Sequence, residues 1–264
     1  MFYFEKINNV NLYKSSLLDA QRFKHAFTTR ENWDCTTSPA SFSMGTAGNP
    51  ELLGYVQDNR RKICEILGIK SENLVIPEQK HTDNIKIISS SNDDVSNCDG
   101  LITRERGLGL MLLFADCVPV IMYAPDKHVV SVIHAGWRGT AKAIVSKALN
   151  IFEKEFNASV EEIQAVIGPA IGKCCYPVAP EVGEELLSTV TKKSQDDLYT
   201  RSITNDNNLI NIDLKGLNAR QLMERGVKNI DMSDKCTSCT NTIFYSHRAE
   251  YGKTGRHAAV AGLM

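Results

Sequence analysis

Two continuous apolar runs constrain the fold of this chain more than any other feature of its sequence. They are Leu108–Phe114 and Val129–Ile133. Neither run alternates between apolar and polar residues, so both are typical of strands that are covered on both faces. Amphipathic helical patterns elsewhere in the chain supply the covering layers. We therefore predict a layered α/β or α+β fold with one continuous core.

The remaining local patterns assign helices and further strands. The apolar stripe of Tyr55–Leu67 predicts a helix that ends at Gly68, and Thr140 is predicted to cap a helix that continues to Phe152. Two more helices are predicted at Pro180–Val190 and Asn211–Arg225. Further strands are predicted at His25–Arg30, Leu74–Ile76, Ile85–Ile88, Val120–Tyr123, Ile163–Ile167, Asn229–Met232, Thr242–Tyr245 and Ala258–Ala261. No GxGxxG or GxxxxGK[ST] motif occurs, which disfavours nucleotide-cofactor folds.

Composition and charge exclude several function classes. The chain has 264 residues, of which 42% are hydrophobic and 23% charged, and its net charge is −1. This balance gives no reason to expect nucleic acid or an acidic membrane as a partner. No apolar stretch is long enough to span a bilayer, and residues 1–16 lack the basic region and apolar core of a signal peptide. We expect a cytoplasmic protein whose eight cysteines are reduced, most of them as small core residues.

Side chains that commonly bind metals stand at the ends of the two apolar runs. Cys117 follows the first run and His134 follows the second, while His81 lies upstream in a polar turn between two predicted strands. One cysteine and two histidines are enough to hold a zinc ion with an open fourth position. The pattern therefore predicts a zinc-dependent enzyme that acts on a small molecule.

The same three residues allow other chemistry. Without a metal, Cys117 could be a nucleophile activated by His134 or His81. Copper also takes histidine and cysteine, but multi-copper oxidation would need more histidines than the six present, which disfavours it. A fourth protein ligand would close the site and make the zinc structural.

The segment His134–Gly139 predicts an anion site beside the metal. Its two glycines permit close backbone approach, and the helix that follows presents free N–H groups to a bound anion. Arg138 in this turn adds a positive charge suited to phosphate or carboxylate. Arg30, at the end of a predicted strand and before a polar loop, is a second candidate cation.

Two cysteine pairs stand apart from these candidates. Cys174 and Cys175 are adjacent and could bind metal or form a redox pair, but we expect the ordinary case of one buried cysteine and its neighbour. Cys236 and Cys239 resemble half of a zinc ribbon, yet no second CxxC exists to complete it. The sequence therefore gives only weak support to a structural zinc here.

Three longer motifs make the chain recognisable. They are Cys98–Thr103 (CDGLIT), Ala115–Val120 (ADCVPV) and His134–Gly139 (HAGWRG). Shorter matches in the same order are Gln79–His81, Ile167–Gly172, Cys236-Thr237 and Thr254–Arg256. Over nearly its whole length the chain resembles the YfiH/FAMIN family, long labelled polyphenol oxidases or laccases and now regarded as purine nucleoside phosphorylases.

The resemblance implies a single YfiH-type domain over residues 1–264, with a mixed central sheet flanked by helices. It implies a zinc ion held by His81, Cys117 and His134, which also form the catalytic set. It implies phosphorolysis of adenosine, inosine and methylthioadenosine to the base and ribose 1-phosphate, together with deamination of adenosine. The expected partners are a nucleoside and phosphate, bound by a monomer or weak homo-oligomer.

The residues expected to bind substrate include positions at which this sequence departs from the family. Substrate or phosphate contacts are expected from Arg30, Ser43, Gln79 and Arg138. The sequence departs from the family nearby, because Ser43 stands where the family has an asparagine, Lys80 replaces an apolar residue, and Glu31–Trp33 replaces glycines. Some members are reported to edit peptidoglycan precursors, so a hydrolase that uses the same Cys/His set is the alternative function.

Overall fold

The computed structural model describes residues 1–19, 22–32, 42–201 and 208–264. The strands β1 to β15 are Phe2–Ile7, Val10–Ser15, Phe23–Asn32, Leu74–Val75, Ile85–Ile87, Gly100–Thr103, Gly109–Phe114, Val118–Ala124, Val129–Ala135, Gln164–Ile167, Pro177–Val178, Tyr199–Arg201, Ile210–Ile212, Asn229–Met232 and His257–Leu263. The helices α1 to α5 are Leu53–Leu67, Trp137–Ala141, Ile144–Phe156, Pro180–Leu187 and Leu214–Glu224. No helix within these ranges is long and apolar enough to cross a bilayer.

The strands form two mixed six-stranded sheets and one small sheet. The first sheet has the order β1-β2-β3-β15-β7-β4, the second β14-β10-β8-β9-β6-β5, and the small one β11-β13-β12. Pairing is antiparallel except for β4 with β7, β5 with β6 and β10 with β14, which are parallel. Neighbours in sequence such as β8 and β9 pair directly, which places the turns that flank them close together.

The two large sheets pack against each other and carry helices on their outer faces. Leu112 of β7 and Val132 of β9 share one buried cluster between the sheets. On the outside of the first sheet, Ile63 of α1 packs with Met111, and on the outside of the second, α3 and α5 cover residues such as Val120. Because a sheet or a helix covers each face, every residue of β8 and β9 is buried.

The predicted fold class is confirmed, and the structure adds one feature to it. The central layer is a pair of mixed sheets, since the helices cover only one face of each sheet and the other face needs a partner. The strand prediction Asn229–Met232 has the observed bounds, and the strand predicted at Leu108–Phe114 begins one residue later, at Gly109. The predicted end of α1 at Gly68 is also confirmed, with a φ of 70° at that glycine.

Three predictions about local structure are wrong. Thr140 caps no helix, because it lies inside α2 and a break at Ala143, with a φ of 54°, separates α2 from α3. Thr242–Tyr245 forms turns, and its apolar residues Phe244 and Tyr245 are buried without strand pairing. Neither member of the adjacent cysteine pair is buried, since Cys174 is exposed and Cys175 half-buried. Trp33, Cys35 and Ser41 lie outside the described residues.

Candidate metal centre

Three strand ends bring His81, Cys117 and His134 together. Cys117 lies in the turn between β7 and β8, His134 near the end of β9, and His81 in the segment between β4 and β5. Pro119 pairs with His134 across the β8–β9 ladder, so Cys117, two residues earlier, lies beside that histidine. One ligand atom from each of the three residues lies within 4.8 Å of the others. The ring centroids of the two histidines are 5.0 Å apart, with planes at 80°.

Asp99, which sequence reasoning did not single out, orients both histidines. Its Oδ1 atom is 2.8 Å from Nδ1 of His134, which leaves Nε2 of that ring available to a metal. Its carboxylate also accepts backbone N–H groups of Lys80, His81 and Thr82 and the hydroxyl of Thr82. A carboxylate that fixes the tautomer and direction of a ligand histidine is typical of zinc proteins. The Asp-Gly of the CDGLIT motif was the available sequence signal.

The hydrogen bonds to Asp99 keep its carboxylate charged. Burial would raise the pKa of Asp99, but the bonds from His134 and Thr82 outweigh burial and hold the pKa well below its usual range. The side chain is fully buried, so the charge needs these partners. The negative charge is therefore fixed behind His134, on the side away from Cys117.

The charges of Cys117 and His134 are linked. Burial would raise the pKa of the Cys117 thiol, but the adjacent His134 and hydrogen bonds from both histidines outweigh it and lower this pKa to about 6. Burial likewise acts to lower the pKa of His134, while the Cys117 thiolate and Asp99 raise it above its usual value. The chain therefore presents a thiolate at neutral pH, the form in which cysteine binds metals or attacks a substrate.

Access to the three ligands depends on a glycine and on an exposed histidine. A side chain at Gly136 would bring its Cβ to 3.2 Å from Sγ of Cys117 and 3.3 Å from Cδ2 of His81. His81 is exposed, whereas His134 is buried. The backbone of His81 has a φ of 58°, which is a left-handed conformation. The hydrogen bond from the N–H of His81 to Asp99 supports this conformation. One side of the centre therefore opens to solvent.

The donor set fits zinc. Two imidazole nitrogens and one thiolate match the three protein ligands of catalytic zinc sites, which keep one position free for water or substrate. Asp99 supplies the outer hydrogen bond that such a site needs. No further histidine, cysteine or carboxylate of the described ranges joins this group to close it.

Two of the predicted substrate residues have partners within the protein. Arg30 donates to the backbone oxygen of Asn241 at 2.7 Å and to Glu250 at 3.1 Å, and its guanidinium stacks on the ring of Tyr245. Ser43 is buried, where its hydroxyl donates to Gly45 and accepts from the backbone N–H of Arg256. Their assignment to substrate binding stays a prediction.

The other two predicted substrate residues are Gln79 and Arg138. The side-chain amide of Gln79 exchanges hydrogen bonds with both backbone groups of Leu113, at 2.9 and 2.8 Å. Gln79 also lines a cleft of about 410 Å³ together with Arg60 and Arg256. Arg138 is exposed, with its guanidinium 4.3 Å from the ring centroid of Trp137. Their contact with substrate likewise stays a prediction.

Three further residues near Cys117 were not singled out by sequence reasoning. Burial raises the pKa of Tyr176 to about 12, the Cys117 charge acts in the same direction, and Arg248 and Arg138 oppose them. Burial lowers the pKa of Arg256, while the charges of Cys117 and Asp116 act to raise it. Tyr176 and Arg256 therefore lie within electrostatic reach of the thiolate, and Arg248 and Arg138 lie within reach of Tyr176. The TGR motif that contains Arg256 was the only sequence signal for this set.

Comparison with known proteins identifies the family. A family model described as multi-copper polyphenol oxidoreductase laccase matches residues 24–264. This chain belongs to that family. The crystal structure of the family member YfiH from Bacillus licheniformis has a TM-score of 0.82 at 31% identity, and the match covers 94% of this chain and 98% of that one. The resemblance seen in the sequence is confirmed.

Relatives within the family have names that refer to nucleosides. Purine nucleoside phosphorylase YlmD from Geobacillus stearothermophilus is 36% identical over 246 residues, covering 89% of this chain and 88% of the relative. Its crystal structure has a TM-score of 0.88 at 32% identity and covers 100% of this chain and 99% of that one. Purine nucleoside phosphorylase LACC1 from Homo sapiens is 29% identical over 235 residues, covering 85% of this chain and 52% of the relative. These names support an enzyme of the purine nucleoside phosphorylase type.

Proposed function

We propose that this chain is a zinc-dependent purine nucleoside phosphorylase that also deaminates adenosine. The observation that carries the proposal is the convergence of His81, Cys117 and His134 on one open position, backed by Asp99. The names of the relatives supply the substrate class. A cytoplasmic location is part of the proposal, since the described cysteines are free thiols and thiols persist in a reducing compartment.

His81, Cys117 and His134 would hold the zinc ion, which supplies Lewis-acid polarisation of an oxygen atom at the open position. The chain's own residues prepare that position. Asp99 keeps the proton of His134 on Nδ1, so that Nε2 faces the metal. Gly136 leaves room beside the thiolate, and exposed His81 lies on the side from which substrate enters.

Phosphate would bind among the cations around Cys117. Arg138 and Arg248 are exposed, and the charges of both act on the same half-buried tyrosine, Tyr176. Guanidinium groups suit phosphate because they can donate two parallel hydrogen bonds. Arg30 stays a candidate, although phosphate would have to compete there with Glu250.

The two proposed reactions break different bonds. In phosphorolysis, the bond between C1′ of ribose and the purine nitrogen breaks, a phosphate oxygen bonds to C1′, and the purine takes up a proton. In deamination, water replaces the amino group of adenosine, which leaves as ammonia and yields inosine. Both need an oxygen nucleophile beside a nucleoside, so one open position could serve both.

Copper oxidation has less support from the donors that are present. The chain has six histidines, and two of them, His25 and His257, are buried in strands of the first sheet. His25 already accepts the backbone N–H of Ser15 at 3.0 Å. Multi-copper chemistry uses several histidine-rich positions, and His81 and His134 supply only one mixed site.

The deciding experiment is a nucleoside panel with and without inorganic phosphate. The wild-type chain and Cys117→Ala are each incubated with adenosine, inosine, guanosine and methylthioadenosine, and base, ribose 1-phosphate and ammonia are quantified. We expect phosphate-dependent release of base and ribose 1-phosphate from the wild type, phosphate-independent ammonia from adenosine, and neither product from Cys117→Ala.

Two results would contradict the proposal. Equal activity of Cys117→Ala would show that the three-residue centre does not carry the reaction. Hydrolysis of a peptidoglycan precursor with no phosphate requirement, and no turnover of any nucleoside, would favour the alternative hydrolase.

A further inference from the structure

Four cysteine sulfur atoms converge outside the His81–Cys117–His134 centre. They belong to Cys174, Cys175, Cys236 and Cys239, and all lie within 4.8 Å of one another. The Sγ atom of Cys239 is 3.6 Å from that of Cys174 and 3.4 Å from that of Cys175. All four are free thiols. Two loops that are far apart in sequence thus place four soft donors at one point.

The spacing suits a single tetrahedral ion. Zinc lies about 2.3 Å from each thiolate sulfur, so tetrahedral geometry places the sulfur atoms about 3.8 Å apart. The observed separations of 3.4 and 3.6 Å are close to that value. A tetrahedral set of four sulfur atoms is typical of zinc or of iron–sulfur proteins. An iron–sulfur cluster puts several atoms between its cysteines and needs wider spacing, so the geometry favours zinc.

The backbone around Cys236 is arranged to stabilise a thiolate. Its Sγ atom accepts the N–H of Gly172 at 3.1 Å and also the N–H of Cys239, three residues further along the chain. Hydrogen bonds of this kind favour the charged form of the acceptor, which is the form that binds metal. A side chain at position 172 would place its Cβ 3.1 Å from Cβ of Cys236 and 3.3 Å from Sγ of Cys174, so it would crowd both cysteines.

A buried cation within electrostatic reach of these cysteines forms no direct ion pair among the described residues. Lys215 is 6% exposed, and its ammonium donates only to the backbone oxygens of Ser233 and Lys235 among the hydrogen bonds found in the described ranges. Burial lowers the pKa of Lys215, while the negative charges of Asp213, Cys236 and Cys174 act in the opposite direction. A buried ammonium needs compensation. A zinc ion with four thiolates carries a net charge of −2 and would provide it.

We propose that Cys174, Cys175, Cys236 and Cys239 form a second metal site, which holds one structural zinc ion. Four protein ligands leave no open position, so this zinc does not take part in chemistry. Cys174 and Cys239 are exposed, which gives the ion a path to the site from solvent. The sequence contains no second CxxC, and the two cysteines that complete the set are adjacent in the chain instead.

The second site would fix the wall of the catalytic pocket. It joins the loop after β10 to the loop after β14, and both loops meet at Asp116, directly before Cys117. Asp116 accepts the hydroxyl of Thr237 and the backbone N–H of Arg248, each at 2.6 Å, and its own backbone oxygen accepts the N–H of Ile171. Its φ of 89° is unusual for a residue with a side chain, so these contacts hold it in place.

The test is the zinc content of the full chain, purified in reducing, zinc-replete buffer and measured by mass spectrometry of the metal. We expect two zinc ions per wild-type chain, one in Cys117→Ala, one in Cys239→Ser and nearly none in the double variant. X-ray absorption of Cys117→Ala should show four sulfur ligands and no nitrogen. Ser238→Ala, which changes the same loop and keeps all four sulfur atoms, should retain two ions.

Several results would overturn the second site. These are a Cys117→Ala chain that retains no zinc, a Cys239→Ser variant with unchanged zinc content, a nitrogen-containing shell in Cys117→Ala, or a disulfide among the four cysteines under these conditions. If Cys239→Ser does not fold, the zinc content and the spectrum of Cys117→Ala still decide. None of these readouts uses catalysis, so a failure of the reaction proposed above would leave this test unaffected.

Discussion

The two groups of metal-type side chains in this molecule differ in donors, support and access. His81, Cys117 and His134 combine nitrogen and sulfur, and a buried carboxylate orients them from behind. The four cysteines offer sulfur alone, on loops, with backbone N–H groups as support. Three ligands leave a place for substrate, whereas four leave none. The three-residue group is therefore suited to catalysis, and the four-cysteine group is suited to holding two loops together.

The largest expected effect is a loss of activity without a loss of stability in Cys117→Ala. Cys117→Ala should lower kcat/KM by well over 100-fold, because losing a zinc ligand costs more than the roughly 10–100-fold typical of losing a residue that supports a ligand. Its thermal unfolding midpoint should change little, since the strands around it are packed without the metal. Steady-state kinetics and calorimetry measure the two quantities.

Cys239→Ser is the counterpart in this comparison. Loss of the second zinc should lower the unfolding midpoint more than it lowers kcat/KM, because that ion ties two loops together. If both variants lose activity and stability in the same proportion, the two sites do not have separate roles.

The next largest effect concerns the carboxylate behind His134. Asp99→Asn keeps the shape of the side chain and removes its charge, so zinc affinity and kcat/KM should each fall by about 10–100-fold. Competition with a chelator measures the affinity. Asp58→Asn removes a carboxylate from an exposed ion pair with Arg61 and serves as the control for charge loss. Equal affinities of Asp99→Asn and the wild type would refute the orienting role.

A smaller effect is expected from crowding the thiolate. Gly136→Ala should reduce zinc affinity several-fold, because the new Cβ would lie 3.2 Å from Sγ of Cys117 and the ligand would have to shift. Gly54→Ala is the matched control. Its Cβ would meet nothing within 4 Å, and alanine should stabilise helix α1 by about 0.5–1 kcal/mol. A Gly136→Ala chain with normal zinc binding would show that the pocket tolerates a methyl group.

The last effect concerns stability alone and separates acid unfolding from metal loss. Burial lowers the pKa of His25 to about 3, and its Nε2 accepts the N–H of Ser15, so only the neutral ring fits. The stability from this histidine is complete above an unfolded pKa of about 6.5 and is lost as pH falls, by about 2 kcal/mol between pH 7 and pH 5.

Denaturant unfolding of metal-free wild type and His25→Asn measures this contribution. The variant is expected to be less stable at pH 7 and to lose less stability between pH 7 and pH 5. From pH 7 to pH 9 the two chains should show parallel curves, because His25 is neutral in both states there. An unchanged acid slope in the variant would assign the pH dependence to other groups.

The meeting of Cys117 and His134 was predictable because each follows a strong local signal, whereas His81 lies in a polar turn and was indicated by the family resemblance. Cys117 and His134 stand at the ends of apolar runs whose strand character is unambiguous, and strands β8 and β9 are adjacent both in sequence and in the sheet. Asp99 was harder to find, since an Asp-Gly pair is a common turn and only the fold places it behind His134.

Other features depend on contacts that no local pattern encodes. The first sheet, and hence the layer order, follows from pairings such as β3 with β15, which are more than 200 residues apart. The break at Ala143 lies inside an apolar stripe that reads as one helix, and buried Thr140 accepts a hydrogen bond from Asn218 instead of capping α3. The four cysteines meet because two loops fold over the same strand ends, so neither pair alone predicts the site.

The position of Asp116 has an evolutionary and engineering consequence. The loop after β10 is attached to the sheet through the N–H of Gly168 and the oxygen of Pro119, and the loop after β14 through the N–H of Ser233 and the oxygen of Ile167. Between these anchors both loops contact one residue, Asp116, the first loop at its backbone oxygen and the second at its carboxylate. The two segments therefore constitute a module that can drift or be grafted as a unit, which would let lineages change what the pocket recognises while inheriting the same metal ligands.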